Sequence, residues 1–98
     1  MELHLKRMLA MLIAHKEALR VATLTSNACL DQNTAALQAW KELDAKHDGP
    51  VPADEWMAAK ARFERTLDQV DVAQETVDTL LKEGDRLIVR AAELRSHS

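Results

Sequence analysis

Four residues of this chain break helices, and three of them, Gly49, Pro50 and Pro52, fall within four positions of one another at the midpoint of its 98 residues. Glycine accepts backbone angles that other residues resist, and proline lacks the amide proton that a helix interior uses. Helix-compatible sequence of nearly equal length lies on either side. The chain therefore predicts an antiparallel helical hairpin, with one arm over 2–47, a turn over 48–52 and a second arm over 53–96. Residues 1–98 read as a single all-α domain. Ala, Leu, Glu, Lys, Arg, Gln and Met dominate, Tyr is absent, and the aromatics are Trp40, Trp56 and Phe63 alone, a composition that argues against strands.

Heptad steps from Leu5 give one core row in the first arm: Leu5, Leu12, Leu19, Ser26, Asn33 and Trp40. The row four residues later, Leu9, Lys16, Thr23, Leu30, Leu37 and Asp44, is taken as its partner. This seam is apolar at both ends and polar between residues 23 and 34, where Ser, Thr and Asn compete for backbone hydrogen bonds. In the second arm the first row is Trp56, Phe63, Val70, Val77, Gly84 and Ala91, and the row four later is Lys60, Leu67, Gln74, Leu81, Ile88 and Arg95. Ala59, Ala73, Leu80, Leu87 and Leu94 flank them and widen the apolar arc to nearly half of the helix circumference, more than one opposing helix covers. The pattern predicts a bundle completed by dimerisation. The alternative is a three-helix bundle with the first arm broken near Ser26.

Folding about Gly49 pairs residues whose numbers sum to about 97. Trp40 then meets Trp56, Leu19 meets Val77, Leu5 meets Ala91, and Leu12 meets Gly84, where the missing side chain allows a leucine to pack closely. At the turn, Lys41, Lys46 and His47 complement the dipole of the first helix, while Pro52, Asp54 and Glu55 suit the start of the second.

A small negative charge, −3, is unevenly spread: 1–47 hold six Lys/Arg against five Asp/Glu, and 51–98 hold seven against ten. Glu64, Asp68, Asp71, Glu75, Asp78 and Asp85 are spaced to share one helix face, and no Lys or Arg occurs between residues 66 and 81. Such a ribbon either is a solvated back face or docks into a basic groove of a partner. Leu5, Met8, Leu9, Met11 and Leu12, with Met1, form a second candidate partner surface, because methionine adapts to varied shapes.

Catalysis has little to rest on. His4, His15, His47 and His97 are scattered, with no pair at the spacing that aims two rings at one ion, and there is no Cys-x-x-Cys or glycine-rich phosphate loop. No metal or other cofactor is expected. Cys29, the lone cysteine, reads as a small core residue in a reducing compartment. The apolar run Met8–Ala14 is too short for a membrane span, and a cytoplasmic location is expected. Direct nucleic-acid binding is disfavoured by the acidic second arm.

In outline the hairpin resembles the small WXG proteins of bacteria, although no Trp-x-Gly occurs, and Phe63 to Ile88 is similar to one helix of spectrin-type repeats over about a quarter of the chain. Neither resemblance assigns a family. The function expected is that of a non-enzymatic protein–protein interaction module, as a small adaptor, chaperone or assembly component acting through apolar helix faces. The alternative is an acidic helical inhibitor that occupies a basic nucleic-acid-binding groove of a target complex, as phage-borne antagonists of host machinery can do.

Overall fold

A computed structural model describes residues 2–46 and 49–96. They form two α-helices, α1 (Glu2–Lys46) and α2 (Ala53–Ser96), packed antiparallel as a rod of 74 × 15 × 14 Å. Gly49 has a φ of +124°, a conformation L side chains rarely adopt, so the glycine of the turn is there for its backbone. The Pro52 carbonyl accepts the first helical bond of α2 from the Trp56 amide at 3.0 Å, and Asp54 and Glu55 stand in the first turn. Met1, His47 and His97, and whatever roles the sequence suggests for them, lie outside the described residues.

The polar centre of α1 stays helical. Thr23, Thr25 and Thr34 donate their hydroxyls to the carbonyls of Leu19, Val21 and Leu30 one turn back, at 2.8, 3.0 and 2.9 Å. These three hydroxyls are thereby satisfied on the helix itself, and α1 runs unbroken through Ser26.

Burial corrects the second core row in both arms. The regular row of covered positions in α1 is Met8, Leu12, His15, Leu19, Ala22, Ser26, Cys29, Asn33, Ala36, Trp40 and Leu43, alternating steps of four and three. In α2 it is Trp56, Ala59, Phe63, Thr66, Val70, Ala73, Val77, Leu80, Gly84, Leu87, Ala91 and Leu94, and off these rows Leu37, Ala39, Glu42 and Lys60 are half-buried near the turn. The partner row thus lies three residues after the first one. Chemistry explains the difference: the row four later carries Lys16, Asp44, Lys60 and Arg95, whose burial would strip charge of water, whereas the row three later carries Ala22, Cys29, Ala36, Thr66 and Ala73, small enough for close helix approach. Leu5 heads the correct row but is exposed beyond the last layer.

Two cross-seam contacts fix the register. Asn33 Nδ2 donates to Thr66 Oγ1 at 3.0 Å and to the Phe63 carbonyl at 3.2 Å, and His15 lies over Gly84. The numbers in Asn33–Thr66 and in His15–Gly84 add to 99, two more than the expected sum. The close neighbour of Gly84 is therefore an imidazole instead of Leu12. A Cβ on Gly84 would stand 2.7 Å from His15 Nε2, an atom that is buried and has no hydrogen-bond partner among the described residues. The aromatic layer stands as expected: Trp40 meets Trp56 edge-on at 5.4 Å between centroids and Phe63 at 5.6 Å.

This core is thin. Only Met8, Ala36, Ala73 and Asn33 are buried among the described residues. The rod exposes 7580 Å², against about 5,600 Å² for a compact chain of 11.0 kDa.

Candidate functional site: two unlike flanks of the hairpin

With the seam located, 100° per residue assigns every other row. Leu9, Lys16, Thr23, Leu30, Leu37 and Asp44 on α1, and Lys60, Leu67, Gln74, Leu81, Ile88 and Arg95 on α2, border the seam on one side. Because the helices run antiparallel, both rows fall on the same side of the rod. An independent observation supports this, for the opposite side is a groove of about 790 Å³ lined from both helices by Glu17, Ala18, Val21, Ala22, Thr25 and Cys29 and by Asp68, Gln69, Val72, Ala73, Thr76 and Leu80. None of these belongs to the leucine-bearing rows. One flank is thus a trough lined by many small side chains, with Asp68 of the acidic stripe at its edge, and the other is a ridge of larger ones.

The ridge keeps about half of its apolar surface in solvent, except at Leu37, which is half-buried near the turn. Leu9 is 51% exposed, Leu30 52%, Leu67 40%, Leu81 49% and Ile88 61%. These are the residues that sequence reasoning took for the inner row. Toward the turn the ridge ends in a polar cap, where Lys60 Nζ sits 5.6 Å from the Trp56 ring centroid and 3.8 Å from Glu64 Oε1.

The predicted N-terminal partner surface divides. Met8 is buried in the seam and Leu12 half-buried there, whereas Leu5 continues the seam row past its last layer, Leu9 lies on the ridge and Met11 on the trough side, all three exposed. Cys29 is half-buried at the groove.

All six residues of the acidic stripe are exposed. They occupy two rows on the back of α2: Glu64, Asp71, Asp78 and Asp85 next to the ridge, and Asp68 and Glu75 farther round. Gln74 Nε2 donates to Asp78 Oδ1 at 3.1 Å, and Lys60 pairs with Glu64; Asp68, Asp71, Glu75 and Asp85 carry no ion pair among the described residues. The matching row on α1, beside the ridge, reads Lys6, Ile13, Arg20, Asn27, Thr34 and Lys41 and contains no acid. The ridge is therefore bordered by positive charge along α1 and by negative charge along α2, the same signs as the net charges of the two arms.

Elsewhere the charges support single helices. Glu17 accepts hydrogen bonds from Arg20, and that bond, with the guanidinium charge, holds its carboxyl below the usual glutamate range. Gln38 and Lys46 donate to Glu42 and do the same there. Both carboxylates are solvent-exposed, where such pairs contribute little to stability.

Among the described residues no three metal-binding side chains converge, and no helix is long and apolar enough to cross a membrane. No protein-family model, curated protein or solved structure matches this chain.

Proposed function

We propose that this chain is a non-enzymatic protein–protein interaction module of the cytoplasm, a small adaptor, chaperone or assembly component that acts by laying apolar helix surface against another protein chain. The observation that carries the reading is the ridge. Five large aliphatic side chains share one flank of the rod, outside the seam that the two helices close between them. A third apolar row beside the two of the seam is the pattern of helices in bundles of more than two, and a water-facing row of this kind favours association.

A rival reading, the acidic inhibitor of a basic groove, draws on the unpaired carboxylates of Asp68, Asp71, Glu75 and Asp85. The two differ in salt dependence, because an exposed charged contact is screened and an apolar one is not. The test is capture of protein partners from native lysate at low and high salt with three baits: wild type, Leu67→Glu/Leu81→Glu, and Asp68→Asn/Asp71→Asn/Glu75→Gln. The interaction module predicts partners that persist in high salt and are lost only from the leucine variant. Partners lost in high salt and from the carboxylate variant would establish the inhibitor instead.

A further inference from the structure

Resting on that reading, we infer that the occupant of the leucine ridge is a second copy of this chain, docked ridge to ridge about a two-fold axis parallel to the rod, with both turns at the same end. Area supports a copy as occupant. One flank of a rod 74 Å long and 15 Å wide outlines about 1,100 Å², above the roughly 800 Å² per partner of a standard stable interface. Ridge-to-ridge contact is also closed, whereas ridge into trough would repeat indefinitely, since the two flanks face opposite ways.

Charge selects the orientation. Rotation about an axis parallel to the rod places α1 opposite α2 of the partner, so the border of Lys6, Arg20 and Lys41 runs along the partner's border of Glu64, Asp71, Asp78 and Asp85. In the register of the hairpin Arg20 comes level with the partner's Asp78, and Lys16, inside the ridge, lies near the partner's Asp85, while Lys6 and Lys41 fall level with positions beyond the two ends of the acidic border. Rotation about the perpendicular axis in the plane of the interface would set α2 against α2 and lay four carboxylates along four carboxylates, which opposes assembly. Arg20 is bound within its own helix by Glu17, which lies farther from the ridge, so the partner's Asp78 has to compete with Glu17 for the guanidinium.

The test combines mass with geometry. Sedimentation equilibrium of the wild type at about 10 μM should give a dimer, as an interface of this area predicts. Leu67→Glu/Leu81→Glu should weaken it by about a hundredfold or more while circular dichroism stays helical, and Val21→Glu/Val72→Glu, on the trough, should leave it intact. Asp78→Arg should weaken association about tenfold, and Arg20→Asp in the same chain should restore it. With Cys29 replaced by serine and a spin label at Ala53→Cys, the label-to-label distance should be well under half of the 74 Å rod. A distance near the full rod length would overturn the same-end orientation, and a dimer broken only by the trough variant would overturn the ridge. A wild type that is monomeric yet holds another protein through Leu67 and Leu81 would overturn self-pairing alone; one that is monomeric and holds nothing would overturn the interaction reading as well.

Discussion

His15 lies over Gly84 across the seam, and each explains the other. Glycine inside a helix costs about 1 kcal/mol relative to alanine. Here the space it leaves is filled by an imidazole whose Nε2 would stand 2.7 Å from a new Cβ. Gly84→Ala alone should therefore gain little or no stability, because the ring has to move. In a His15→Ala background the same change should gain about 1 kcal/mol, the full helix preference. Urea unfolding of the four proteins at one concentration measures the cycle, and additive effects would mean that the two side chains do not meet. At the turn end, Trp40 touches both Trp56 and Phe63, while Trp56 shares its face with Lys60. Both indoles are half-buried. Trp40→Ala should cost roughly 3 kcal/mol and Trp56→Ala roughly 2 kcal/mol, less than for fully buried rings, and the reverse order would contradict this layer.

At the scale of the helices, Asn33 holds the register. It is a buried amide in an otherwise largely apolar seam, and its two donated bonds to Phe63 and Thr66 reach only when α1 and α2 are aligned as described. A polar group at one core position gives up stability for a unique alignment. Asn33→Val should keep the helices and melt at the same temperature or higher, yet give doubled or broadened amide resonances as sliding registers become populated. A single sharp set of peaks like that of the wild type would show that aromatic packing alone fixes the alignment. Much of this level was legible in the chain. Gly49, Pro50 and Pro52 placed the turn, and the row from Leu12 to Trp40 faces inward as read. The partner row was misplaced by one residue because Leu9, Leu30, Leu67, Leu81 and Ile88 outweigh Ala22, Ala36 and Ala73 on any hydrophobicity count. Lys16, Asp44, Lys60 and Arg95 among those leucines were the signal that the row could not be internal. His15 over Gly84 was beyond the pattern, since heptad spacing does not rank an imidazole above a leucine.

For the whole molecule, the same misplacement turns into the main finding. Leu9, Leu30, Leu67, Leu81 and Ile88, which a two-helix seam does not use, stand together on one flank, and the acidic stripe on α2 falls into a border row and a back row with different prospects. Asp71, Asp78 and Asp85 lie where a second copy would meet them; Asp68 and Glu75 point away from the ridge. A rod of 74 × 15 × 14 Å has too little interior to be stable by itself in the way a compact domain of equal mass is. The account holds that much of its stability comes from association.

The most direct measurement of that claim is the midpoint of thermal unfolding as a function of protein concentration, followed by circular dichroism from about 1 to 100 μM, because a fold coupled to dimer formation gains stability by mass action. The account predicts a midpoint that rises by several degrees across this range in the wild type and stays flat and lower in Leu67→Glu/Leu81→Glu. A wild-type midpoint that does not move with concentration, on a sharp transition of an 11.0 kDa monomer, would contradict it.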